Sequence, residues 1–168
     1  MRALLLFAIT FCAAGAAAET PIPAFSDFPA PVTSTVKSPT VDISSHPRAK
    51  QYRTTLRSAA RGKPTFAGHY VLAWWGCGNE CQRSLIVDLK TGKVLGVVGT
   101  DEPLESARGF AVEPNSALLI ADPPCQEGAS CLSEGRSNIP VRYYILEATG
   151  LRLLRKVPCH VIKRRACT

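Results

Sequence analysis

The chain has 168 residues, 46% of them apolar and 20% charged, with a formal net charge of +7 and a pI near 9.2. That composition excludes a wholly disordered chain, and the length fits one domain. The excess of Lys and Arg directs attention to anionic partners.

Residues 1–18 read as a signal peptide. Arg2 is a short positive start, Leu4 to Cys12 is apolar, and Ala16-Ala17-Ala18 offers a cleavage site before Glu19. The apolar run is shorter than the roughly 20 residues a bilayer needs, so no membrane span is expected. Phe11 precedes Cys12 where lipidation requires a small residue. Loss of Arg2 takes the net charge from +7 to +6. About 150 residues then remain, enough to bury roughly 68–70% of the unfolded surface in one core. The expected setting is periplasmic or secreted.

Residues 19–46 form a Pro-, Ser- and Thr-rich leader, interrupted by Pro21, Pro23, Pro29, Pro31 and Pro39. It is expected to be extended, partly disordered or laid over the domain, with Phe25 and Phe28 as anchors. Residues 47–168 form a single domain.

Ser45 to Gly62 reads as one helix. Ser45 caps it, Pro47 sits in the first turn, and Gly62 with Pro64 ends it. Ala49, Tyr52, Leu56 and Ala59 recur at helical spacing and face the core. Lys50, Arg53, Arg57 and Arg61 line another face as a basic stripe. From Ile43 to Asn79 the chain carries no acidic residue, so this region is strongly one-signed.

Strands follow. His69 to Trp75 is aromatic and β-branched, and its alternation puts Trp74 and Trp75 on opposite faces. Ser84–Leu89 and Val94–Val98 flank a turn at Lys90-Thr91-Gly92-Lys93. Gly109–Val112 and Ala117–Ala121 flank Glu113-Pro114-Asn115-Ser116, and Val141–Glu147 and Leu151–Val157 flank Ala148-Thr149-Gly150. The fold class is therefore mainly β (α+β): an antiparallel meander of three hairpins, about six to eight strands, with one N-terminal helix on the sheet or at its end.

Six cysteines remain after cleavage, in the close pairs Cys77/Cys81, Cys125/Cys131 and Cys159/Cys167. An even number in an exported chain points to disulfides, and local pairing is the expected connectivity although others are open. A loop as short as Cys77–Cys81 contributes only about 2 kcal/mol. The long segment between Pro123 and Pro140 carries the second pair, and a bridge inside it gives it a held shape.

Three stretches form a pattern: Phe66-Ala67-Gly68-His69-Tyr70, then Trp75-Gly76-Cys77-Gly78-Asn79-Glu80-Cys81, then Asp88-Leu89-Lys90-Thr91-Gly92-Lys93-Val94. This resembles a group of small exported bacterial proteins with an F-A-G-H-Y strand, a W-G-C-G-x-x-C loop and a D-x-K-T-G-K-V hairpin. The resemblance implies a bacterial periplasmic setting and assigns no catalytic or ligand-binding residue.

Little chemistry is left for an enzyme. Cys77-x3-Cys81 with His69 or His160 offers metal ligands, but paired exported cysteines favour bridges over zinc. Thiol oxidoreductases want C-x-x-C at a helix start, which is absent. No G-x-S-x-G elbow occurs. A hydrolase would have to use His69 with Glu80 or Asp88. No metal, cofactor or catalytic residue is expected, and the chain is read as uncertain for an enzyme, with non-enzyme favoured. An exported protein rarely meets nucleic acid, and no base-reading motif is present.

The favoured function is a non-enzymatic periplasmic binding or inhibitory module. Its expected contact region is the Trp74–Cys81 loop with Trp74, Trp75, Asn79 and Glu80, the Pro123–Pro140 loop, or the basic helix face with Arg53, Arg57 and Arg61. An acidic envelope protein, an anionic glycan or a lipid head group suits the charge, because Arg bonds phosphate and carboxylate bidentately. Exported lysozyme inhibitors share this build, but lysozymes are commonly basic and would be repelled. A structural or stress-related envelope protein without a dedicated ligand is the alternative.

Overall fold

A computed structural model describes residues 21–33, 40–79, 81–99, 103–106, 109–123, 125–126, 129–130 and 140–162. The signal segment and Glu80 lie outside these residues, as do Cys131, Cys167 and the side chains of Cys125 and Cys159. The expected Cys125–Cys131 and Cys159–Cys167 bridges therefore fall outside the described residues.

The protein is mainly β, as its alternating apolar segments require. Two antiparallel sheets form in place of a single meander. The first contains β1 (Tyr70–Gly78), β2 (Cys81–Asp88), β3 (Val94–Leu95) and β4 (Leu104–Ser106). β1 lies on one side of β2, while β3 and β4 share the other, pairing with different stretches of it. The second sheet contains β5 (Phe110–Val112), β6 (Leu118–Ala121), β9 (Val141–Glu147) and β10 (Gly150–Val157), in the order β10-β9-β6-β5. Between β6 and β9, β7 (Cys125–Gln126) pairs with β8 (Ala129–Ser130). The short helix α2 (Cys159–Ile162) follows β10.

β3 stops at Leu95 and does not run on to Val98. The chain there turns to β10: the Leu151 N–H donates to the Gly96 carbonyl, and the Val98 N–H donates to the Leu151 carbonyl. This Val97–Leu151 bridge ties the two sheets and ends the meander.

The helix is shorter than its periodicity suggests. α1 spans Arg53–Ala59 only. From Asp42 to Tyr52 the backbone makes successive three-residue turns, with bonds from Ser45 to Asp42, Ala49 to His46, Gln51 to Arg48 and Tyr52 to Ala49. Two side chains divert the backbone. The Asp42 carboxylate accepts from the Ser44 N–H, and His46 Nδ1 accepts from the Arg48 N–H. Ser45 does not cap the helix. Its hydroxyl donates to the Asp42 carbonyl and accepts from the Val94 N–H, which ties this region to β3. Bonds spanning four residues begin with Leu56 to Tyr52 and end with Ala60 to Leu56. The apolar residues still face inward: Ala49 and Leu56 are fully buried.

Four layers result. α1 packs with Val71, Ala73, Leu85 and Val87 on one face of the first sheet. Ile86 and Leu104 on the other face meet Leu119, Ala121 and Tyr144 of the second sheet. Leu118, Val141, Tyr143 and Val157 on the far side of that sheet are covered by Ile22, Phe25 and Phe28 of the leader and by Ile162 of α2. Both sheets are thus covered on two faces. That explains why Ser84 to Leu89 is a continuous buried run and not an alternating one.

The leader is folded onto the domain where it is described. Ala30 donates to the Asn115 carbonyl, Ala117 to that of Phe28, and the Ser116 hydroxyl lies 2.8 Å from the Phe25 carbonyl. Two glycines make room for it. A Cβ on Gly68 would lie 2.1 Å from the Pro31 carbonyl oxygen, and one on Gly92 would lie 2.3 Å from that of Thr40; both have positive φ.

Candidate functional site

The F-A-G-H-Y stretch is a tight turn that leads into β1, not a strand. Phe66 and Tyr70 exchange backbone hydrogen bonds of 3.0 and 2.9 Å, and Ala67 and Gly68 both have positive φ. β1 then runs nine residues to Gly78 and returns through Asn79 into β2. Cys77 and Cys81 are joined by a disulfide across this return, with Cα atoms 5.1 Å apart. Their sulfurs are thereby unavailable as metal ligands or nucleophiles. The pairing slips between Gly76 and Gly78, so a bulge twists the tip of the hairpin.

The strand alternation separates the two tryptophans. Trp75 shares a face with Val71 and Ala73 and stacks on Tyr52 at 3.8 Å between ring centroids. It is partly buried and packs against the core beneath α1. Trp74 points the other way, beyond the reach of the second sheet, and remains 57% exposed. Its neighbour across the ladder is Ser84, which is fully buried.

A groove of about 300 Å³ runs beside Trp74, lined by Thr55, Ser58 and Ala59 of α1 and by Val71, Leu72 and Ala73 of β1. β1 is the outermost strand of its sheet, so this groove lies along a sheet edge.

The basic stripe is only partly helical. Lys50 precedes α1 and Arg61 follows it; Arg53 and Arg57 are in the helix, and all four are exposed. At about 100° per residue, Arg53 and Arg57 turn roughly 150° away from Thr55 and Ser58. The stripe therefore does not line the groove. Thr55, Ser58 and Leu72 were not foreseen as site residues. The register between α1 and β1 is tertiary and leaves no local signature.

His69 precedes β1 and is partly exposed. Its Nε2 lies 3.6 Å from Asp88 Oδ1. Burial holds the imidazole below its ordinary pKa; the Asp88 carboxylate pulls it upward, and Lys90 adds to the lowering. Asp88 has another task. Oδ1 accepts from the Lys90 N–H at 2.8 Å, and Oδ2 accepts from the Thr91 hydroxyl at 2.7 Å. These bonds shape the β2–β3 turn.

The chain matches no protein-family model, no curated protein and no solved structure. Among the described residues, no helix is long and apolar enough to cross a membrane.

Proposed function

We propose that this chain is an exported, non-enzymatic binding module of the bacterial envelope that captures an anionic partner. In this reading residues 1–18 direct export, and the cysteine pairs Cys125/Cys131 and Cys159/Cys167 are bridged in the oxidising compartment. One observation carries the proposal: Trp74 stands 57% exposed next to a groove, on a hairpin whose tip is closed by the Cys77–Cys81 bridge. A held loop with an exposed aromatic loses little conformational entropy when it binds. The walls of the groove belong to the acid-free stretch from Ile43 to Asn79, which favours an acidic protein or anionic envelope component over a basic one.

The His69 hydrolase is the weaker reading. Asp88 lies 3.6 Å from His69, and its oxygens already serve the β2–β3 turn.

The test uses mature protein carrying Trp75→Phe, so that Trp74 alone reports by fluorescence. Titration with polyglutamate and with anionic lipid vesicles is expected to shift its emission, with an affinity that falls as salt rises. Arg53→Ser, Arg57→Ser and Arg61→Ser together are expected to weaken binding and flatten that salt dependence. If no anionic probe moves the signal at low salt, the binding reading fails and a structural envelope role takes its place.

A further inference from the structure

Resting on the binding reading above, we infer that the partner is recognised as an added β-strand: an extended acidic peptide pairs with the free edge of β1 between Leu72 and Gly76. The hydrogen bonds define that edge. Tyr70 exchanges its backbone bonds with Phe66, while the Asp88 N–H donates to the Lys93 carbonyl and the Asp88 carbonyl accepts from Gly92. Tyr70 and Asp88 face each other in the ladder, so theirs is a pair without mutual bonds. Antiparallel pairs alternate in this respect. Val71, Ala73 and Trp75 therefore bond to β2, and Leu72, Trp74 and Gly76 turn their N–H and C=O groups outward.

The Leu72 N–H meets the Thr65 hydroxyl at 3.5 Å. Outside the β1–β2 ladder, the Leu72 carbonyl and both backbone groups of Trp74 and Gly76 make no backbone bond among the described residues. Exposed edges are normally blunted by a charged side chain, a proline or a short strand. Here β1 is nine residues long, and Leu72-Ala73-Trp74-Trp75-Gly76 contains neither charge nor proline. The bulge comes only after Gly76.

The surroundings suit a polypeptide strand. The groove between α1 and β1 offers Thr55, Ser58 and Ala59 as its far wall, and Trp74 lies where every second side chain of an added strand would pass. Charge selects the partner's composition. Arg53 and Arg57 belong to the helix that walls the groove, Arg61 and Lys63 follow it in the chain, and the edge residues themselves bear no acid. Together they form a basic field that draws in an acidic segment, and the main-chain bonds then hold it.

The test measures fluorescence anisotropy of a labelled peptide of alternating Glu and Val against the mature, oxidised protein. A second peptide carries N-methyl groups on alternate residues, which removes the N–H donors without changing charge. A third has Lys for Glu. Strand addition predicts binding of the first, about tenfold weaker binding of the N-methylated one, and none of the third. Gly76→Pro removes an outward N–H that the β1–β2 ladder does not use and should weaken the first peptide about as much. Circular dichroism checks that this variant is folded, and the N-methylated peptide tests the same bond on unaltered protein.

Equal binding of the methylated and unmethylated peptides, still sensitive to Trp74→Ala, would overturn strand addition while leaving the binding reading in place. Failure of the Glu–Val peptide to bind while vesicles still shift Trp74 would do the same. Concentration-dependent dimers that Gly76→Pro abolishes, without peptide binding, would identify a second copy as the occupant and overturn the acidic partner.

Discussion

Trp75 and Tyr52 lie ring on ring, 3.8 Å between centroids and 24° from parallel, and this contact fixes α1 against the edge strand of the first sheet. Its consequence reaches Trp74. With Trp75 held inward, its chain neighbour is forced to the opposite face, at the end of β1 that the second sheet leaves open. Trp75→Ala should therefore cost about 2–3 kcal/mol, somewhat below a fully buried aromatic. Trp74→Ala should change stability by no more than about 0.5 kcal/mol. Urea unfolding of both variants checks this. Equal losses would mean that Trp74 is also structural, and the proposed contact would lose its anchor.

Ser84 sits across the ladder from Trp74, fully buried, and its hydroxyl has no hydrogen-bond partner among the described residues. A buried hydroxyl without a partner costs more than it returns. Ser84→Ala should raise stability by about 1 kcal/mol, read as a higher urea midpoint at unchanged m-value. A loss of stability would show that the hydroxyl is satisfied in solution.

Gly68 and Gly92 hold the leader through contacts that no side chain can share. Gly68→Ala would place its Cβ 2.1 Å from the Pro31 carbonyl oxygen at a φ of +83°. A loss of about 1–3 kcal/mol is expected from strain and displacement of the leader. Proteolysis should then cut near Pro31 to Thr33 much faster than in the unaltered protein. Gly76→Ala is the control, since nothing lies within 4 Å of its would-be Cβ.

Those two glycines show what was legible in the sequence and what was not. Each lies in a stretch that stood out on inspection, and the turn at Lys90 to Lys93 was readable because Asp88 and Gly92 act locally. The reason Gly68 and Gly92 have no alternative was not readable. It lies in Pro31 and Thr40, far away in the chain. The helix was misjudged for a related cause. Ala49, Tyr52, Leu56 and Ala59 do turn inward, so the periodicity was real, but Asp42 and His46 draw the first part into turns. The opposed tryptophans followed from strand alternation alone. The groove beside Trp74 did not, because it depends on how α1 docks, and local pattern carries no trace of that.

The buried Asp122 pairs with the partly exposed Arg142 at 2.6 Å, and Asp122 holds a positive φ of 58° just after β6. Removal of Asp122 leaves Arg142 with access to solvent, so the loss is that of a charge-assisted bond and not of an enclosed charge. Asp122→Ala should cost about 2 kcal/mol. Asp122→Asn keeps the shape and tolerates the left-handed backbone, so it should cost less. Thermal unfolding of the two variants separates the charge from the backbone conformation. Identical losses would assign the whole effect to the lost charge.

The pH dependence follows from His69 and three tyrosines. Burial depresses the His69 pKa below its ordinary value of 6.5. On acidification the unfolded chain therefore takes up this proton before the folded one does. Its contribution is fully present above pH 6.5, declines as pH falls toward the lowered folded value, and then levels off. At the alkaline end, burial raises Tyr70, Tyr143 and Tyr144 above their ordinary 10.0. The unfolded chain ionises first, so stability drops as pH climbs past that value. Urea midpoints across the pH range should show both slopes, and His69→Gln should flatten the acidic one while leaving the alkaline one intact. An acidic slope that survives His69→Gln would transfer it to other groups, and one of opposite sign would mean that Asp88 outweighs burial at His69.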